Sequence, residues 1–210
     1  MALKLPAAMP KNLHPLAWVI LAAEKEGETE GVKVEADTAH VRLAVATDRH
    51  RLHVATVPHL AVGPGCYDPP GWADPDWHEI EDWSVDWHKI EDRFEEADVL
   101  GRGHVVRVDM LYGYCRSSIA YGQSVGASVA AVTLKGQAIS ARLLADALVG
   151  GWGDIMGAEV ELRLDASTPM LAVRHATGRA LMAGVRPGDP LRADLADPVF
   201  DATEFVRWEG

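Results

Sequence analysis

Three groups of residues in this sequence have types and spacings that could do chemistry. Asp48, His50 and His53 set a carboxylate beside two imidazoles, the raw material of acid–base catalysis. No nucleophile and no third orienting group accompany them, and neither a P-loop nor a G-x-G-x-x-G run is present, so no enzyme is expected. His78 and His88 stand among carboxylates, the donor chemistry of a divalent metal. Ten residues along a helix would separate them by about 15 Å, too far to share one ion, and a solvated acidic face accounts for them better. The third group is cationic. Lys11, Lys25, Arg49, Arg51 and Arg142 are of the type that can contact phosphate without reading bases, as are the scattered Arg102, Arg107 and Arg116, though scattered arginines are more often solvated or paired with surface carboxylates. None of the three groups calls for a cofactor or a metal.

These residues are positioned around one stretch, His40 to Val57. Val41, Leu43 and Val45 alternate with Arg42, Ala44 and Ala46, and after a polar turn Leu52 and Val54 alternate with Arg51 and His53. A period of two predicts a β-hairpin in a sheet with one buried face. Asp48 can close the turn by accepting from backbone N–H groups just ahead of it. The wording of the turn adds to this. Ala46-Thr47-Asp48-Arg49-His50-Arg51-Leu52 resembles the A-T-D-G-H-R-L segment of bacterial sliding clamps, the β subunit of the replicative DNA polymerase. The departure is Arg49, where most members have glycine, which suggests a turn that needs no positive φ.

Composition sets the bounds. With 210 residues the chain is long enough for one good core or two small ones. No apolar run approaches the ~20 residues that cross a bilayer, and the start lacks the pattern of a signal peptide, so no membrane is involved and a cytoplasmic location is expected. Cys66 and Cys115 fit no metal spacing and are expected as reduced thiols, unless the fold brings them together to pair. The net charge is −11, but residues 74–98 hold eleven Asp/Glu against Lys89 and Arg93, which leaves only −2 for the rest. A basic face elsewhere is therefore permitted.

In chain order, residues 2–5 read as a short strand. Asn12 to about Glu26 reads as a helix capped by Asn12, with Pro15 in its first turn and Leu13, Leu16, Ala17, Ile20 and Ala23 on one stripe. Val32, Val34 and Ala36 begin a strand, and Asp37-Thr38 turns into the hairpin. Downstream the pattern repeats. Val129, Ala131 and Thr133 suggest a strand, Ser140 caps a helix with Leu143, Leu144, Ala147 and Leu148, and strands follow at Val160–Leu164, Met170–His175 and Arg179–Val185. The helix Ile139–Leu148, then Val160-Glu161-Leu162, then Leu181–Pro187, is similar to the closing half-domain of the clamp. The resemblance implies an α+β fold: one DNA-clamp-like domain of two pseudo-symmetric half-domains, each a helix packed on antiparallel sheet. The expected division is 1–60 for the first half, 61–125 for an insertion, 126–188 for the second half and 189–210 for a tail containing Phe200, Phe205 and Trp208.

The insertion has no counterpart in the resemblance. Asp74-Pro75 reads as a helix start, and Ile80, Trp83, Trp87, Ile90, Phe94 and Ala97 then recur at spacings of three and four. That predicts an acidic helical insertion of about six turns, followed by a strand at Val105–Val108. Its stripe can pack on the scaffold, or Trp83, Trp87, Ile90 and Phe94 can bind a partner, or the carboxylates can imitate a phosphate backbone. By resemblance the chain is expected to be a non-enzymatic DNA sliding-clamp-like protein, a processivity or tethering factor, with Lys11, Lys25, Arg49, Arg51 and Arg142 as its DNA-binding residues. It would self-associate to hold duplex DNA and meet a replication or repair protein. The alternative is a clamp-fold protein-interaction or regulatory module that encircles nothing, motivated by the thin supply of basic residues on the two helices.

Overall fold

The computed structural model describes residues 14–36, 41–58, 60, 62–69, 76–92, 102–127, 129–134, 136–150, 158–164, 170–184 and 200–201. The expected strand at 2–5, the Asn12 cap, the Asp37-Thr38 turn, the Asp74-Pro75 start, and Phe205 and Trp208 lie outside them.

Alternating sequence becomes sheet where expected. After helix α1 (Pro15–Ile20) come β1 (Val32–Ala36), β2 (Val41–Thr47), β3 (Arg51–Pro58), β4 (Gly65–Asp68) and β5 (His78–Ile80). A helical stretch, α2, covers 87–92. Then follow β6 (Arg102–Arg107), α3 (Val108–Ser124), β7 (Ala131–Leu134), β8 (Gln137–Ser140), α4 (Ala141–Leu148), β9 (Glu159–Leu164), β10 (Met170–His175), β11 (Gly178–Ala183) and β12 (Phe200–Asp201). Nine strands form one sheet in the order β5-β4-β1-β2-β3-β11-β10-β9-β6, each neighbouring pair antiparallel. A second sheet has the order β12-β7-β8, with Phe200 of the tail running parallel to β7 opposite Val132.

The two expected halves meet at a seam. Leu52 and Val54 of β3 face Leu181 and Arg179 of β11. About this seam β3 answers β11, β2 answers β10 and β1 answers β9, with α1 preceding β1 and α4 preceding β9. The backbones approach closely here: a Cβ on Gly178 would lie 2.3 Å from the Val54 carbonyl oxygen, so only glycine fits. The segment expected as an insertion extends both ends of the large sheet, through β4 and β5 on one side and β6 on the other.

Both faces of the sheet are buried, where the hairpin's pattern predicted one. Ala44, Ala46, Ala55 and Val57 join a cluster with Trp18, Leu111, Leu144 and Leu148 on the helical side. Val45, Leu52 and Val54 join a second cluster with Trp83, Trp87 and Ile90 on the other. The small residues face the helices and the larger ones face the tryptophans.

Three helical expectations change. In α1 the cap is His14, whose ring accepts from the Leu16 N–H at 3.3 Å, and Pro15 opens the helix as predicted. The helix ends at Ile20 rather than near Glu26, and its buried residues are Pro15, Trp18 and Val19. The seam takes the Trp18 indole, so Ala17 of the predicted stripe is exposed while Leu16 stays half-buried against the core. The six-turn acidic helix is broken into parts: His78–Ile80 pairs with β4, and helix resumes only at 87–92. Asp86 supplies the start, its carboxylate accepting from the His88 N–H at 3.1 Å. The 17 residues of α3 fall in a stretch for which no helix is predicted. The predicted Ser140 cap of α4 is present, accepting from the Leu143 N–H at 3.4 Å.

Candidate nucleic-acid interface

The turn that carries the resemblance is wired by its own residues. Asp48 Oδ1 accepts from the N–H groups of His50 (3.1 Å) and Arg51 (3.0 Å), as predicted, and the Thr47 hydroxyl donates to the Arg51 carbonyl at 2.6 Å. Arg49 has φ +66°, which overturns the expectation of a turn without positive φ; its N–H donates to the Thr47 hydroxyl oxygen at 3.0 Å and holds it there.

Arg51 is occupied. Its side chain is 11% exposed, and it donates from Nε to Asp48 (3.1 Å), from one terminal nitrogen to Asp146 (2.6 Å) and from the other to the Leu21 carbonyl. One guanidinium thus ties the turn, the end of α1 and α4 together, which takes it out of the set of phosphate contacts that the sequence suggested. Beside it, Trp18 stacks on His53 at 4.5 Å and meets His175 edge-on at 5.1 Å. Trp18 Nε1 donates to the Asp146 carbonyl at 3.0 Å, His53 Nδ1 lies 2.9 Å from the Trp18 carbonyl, and His175 Nε2 lies 2.7 Å from that of Ala147. Burial pushes the His53 imidazole down to about 3, helped by the Arg51 charge and opposed by the Trp18 carbonyl; burial lowers His175 too. These rings are neutral parts of the seam, not an acid–base pair.

The other cations divide. Lys11 lies outside the described residues, and Lys25 is exposed in the loop after α1. Arg49 is exposed and pairs with Glu28 at 2.7 Å. Arg107 pairs with Asp109 at 2.5 Å. Arg142, exposed at the start of α4, lines a groove of about 590 Å³ between α3 and α4, and the exposed Arg116 of α3 lines the same groove with Tyr112 and Gln123. The sequence reading left Arg116 as one scattered arginine and gave Tyr112 and Gln123 no role. The spacing of four between Tyr112 and Arg116 is the signal that could have joined them on one helix face.

The aromatic stripe is inside the chain. Trp83, Trp87 and Ile90 are 8%, 3% and 9% exposed and cover the sheet face opposite the helices, which corrects their reading as a free partner surface; Phe94 lies outside the described residues. Trp83 Nε1 donates to the Glu30 carbonyl at 2.7 Å and Trp87 Nε1 to Glu35 at 2.9 Å. Glu91, 6% exposed, pairs with Arg179 of β11. Asp82 accepts from Lys33 (2.7 Å) and from the Cys66 thiol (2.9 Å), contacts that hold its carboxyl below the usual range. Burial pushes that thiol up to about 11, so it is unreactive at neutral pH.

A G-x-S-x-G pattern, expected to be absent, is spelled by Gly122-Gln123-Ser124-Val125-Gly126. Ser124 is the last residue of α3 and its hydroxyl donates to the Tyr121 carbonyl at 2.7 Å. A nucleophile elbow needs a strand-to-helix turn, so this is not one. Among the described residues no group of three or more His, Cys, Asp or Glu is placed to hold a metal ion, and no helix is long and apolar enough to cross a membrane.

No protein-family profile and no curated protein matches the sequence. Solved structures do. The DNA polymerase III β subunit of Thermotoga maritima is similar with a TM-score of 0.53 at 12% identity, over 82% of this chain and 62% of that one. The β subunit of Caulobacter crescentus gives 0.51 at 12%, over 82% and 64%. The Helicobacter pylori β clamp bound to a DNA ligase peptide gives 0.51 at 13%, over 87% and 68%. The chain spans less than two thirds of the length of the first two. The shared property is the fold: this is the architecture of bacterial sliding clamps.

Proposed function

We propose that the chain is a non-enzymatic DNA-tethering protein that assembles with further copies to hold duplex DNA topologically. The observation that carries this reading is the continuous sheet of two matching halves backed by α1 and α4, the architecture shared with the β clamps. The chain works in the cytoplasm and meets a replication or repair protein. Light scattering should give a mass of several chains, and the protein should stay on circular DNA and slide off the same DNA once linearised. A monomer that binds no duplex at low salt would overturn the reading.

One observation favours a second reading, a clamp-fold protein-interaction or regulatory module. Helices α1 and α4 together carry a single basic residue, Arg142, and Arg51 is consumed by its own ion pairs. A closed ring with a positively charged bore would exclude this alternative.

A further inference from the structure

We infer that the groove between α3 and α4 binds single-stranded nucleic acid. Tyr112, Arg116 and Gln123 lie on one face of α3, and an eleven-residue separation runs about 16 Å along the helix at its usual rise. Across from them α4 presents Arg142, one residue inside the helix that Ser140 caps. Neither Arg116 nor Arg142 has a carboxylate within ion-pairing distance among the described residues. The one carboxylate lining the groove, Asp146, is held by Arg51 at 2.6 Å. The groove therefore carries two guanidiniums outside any ion pair and a half-buried phenol, with a net of one positive charge once Asp48 and Asp146 are set against the Arg51 they share.

That combination suits a phosphodiester strand with its bases unstacked. The guanidiniums take phosphates, and Tyr112 offers a ring for a base. A slot between packed helices, whose axes lie roughly 8–10 Å apart, is too narrow to admit a double helix. A double helix would meet only the ridges. The inference deepens the tethering reading by giving the helical face a strand site, yet it needs no ring.

Fluorescence anisotropy with labelled oligo-dT and oligo-U, at several salt concentrations, tests it on the whole chain. Both arginines are exposed, and melting curves check that Arg116→Ala/Arg142→Ala still folds. That variant should bind oligo-dT about tenfold or more weakly, with the slope of log affinity against log salt reduced by about 1.4, the value for two phosphate contacts on a single strand. Arg116→Lys/Arg142→Lys should keep the slope. Tyr112→Leu should cost about fivefold or more in affinity. Unchanged affinity and slope in the Ala variant would overturn the inference. So would a duplex that binds the groove as tightly as the single strand, or an oligo-glutamate peptide that displaces it equally well. Loss of retention on circular DNA, with oligo-dT binding intact, would sink the tethering reading alone.

Discussion

Removing the Arg51 guanidinium should destabilise the chain, because what it holds together is structural. The side chain makes three donations, two of them to carboxylates, and is 11% exposed. Breaking a buried pair by deleting one partner costs about 3–5 kcal/mol, and a charge-assisted hydrogen bond is worth about 1.5–3. Asp48 and Asp146 are each 28% exposed, so both can be partly rehydrated once the guanidinium is gone. Discounted for that, Arg51→Met should cost about 2–4 kcal/mol. In a chain of this size each kcal/mol lowers the melting temperature by about 2–4 °C, so a fall of roughly 5–15 °C is expected. Arg51→Lys keeps the charge but not the fork, and should fall between the two. Urea titrations of Arg51→Met, Asp146→Ala and the double variant should return a coupling of about 1–2 kcal/mol between the pair. An Arg51→Met protein within about 0.5 kcal/mol of the parent, with DNA retention lost, would refute the structural role and restore Arg51 to the phosphate contacts.

Two further outcomes follow from the same seam and turn. His53 is neutral when folded, with its pKa near 3 against about 6.5 unfolded, so the unfolded chain binds the extra proton. Its contribution is full above about pH 6.5 and is lost as pH falls toward 3, at about 1.4 kcal/mol per pH unit, or roughly 2.7 kcal/mol by pH 4.5. His175 acts in the same direction. Urea midpoints between pH 7 and pH 4.5 should fall less steeply in His53→Leu, and an identical slope would remove His53 from the account. At φ +66°, Arg49 carries a left-handed strain that glycine lacks, and its exposed pair with Glu28 adds little. Arg49→Gly should therefore be about 1 kcal/mol more stable than Arg49→Ala in thermal melts, and equal stability would mean that the turn relaxes out of positive φ.

What the sequence showed depended on which force set each element. Alternation located β1, β2, β3, β10 and β11 because strand pairing and burial agree there. Ser140 located α4 because a cap is a local signal. The spacing of Ile80, Trp83, Trp87 and Ile90 matched a helix by period, but the bond of Asp82 to the Cys66 thiol, a residue of β4, and the pairing of β5 with β4 are long-range and override it. α3 is hard to read in the sequence because five of its seven buried positions, Val108, Leu111, Cys115, Ser118 and Gly122, form its stripe and are mostly small. Their spacing of three and four was helical all along; their size hid it. Two buried faces could not be read from the hairpin because alanine and valine both count as apolar, whichever side they face.

The residues that carry the resemblance bear on the choice between tether and interaction module. Thr47, Asp48 and Arg51 spend their hydrogen bonds on the turn, on Asp146 and on the end of α1. The matched segment is therefore a device for joining two half-domains, and its presence speaks to the fold before it speaks to DNA. A DNA role has to come from cations not used in that joining. Among the described residues Lys25, Lys89, Arg116 and Arg142 are in no ion pair, and Arg116 and Arg142 share one groove. A tether built on this chain would thus grip phosphate through α3 and α4 rather than through the hairpin.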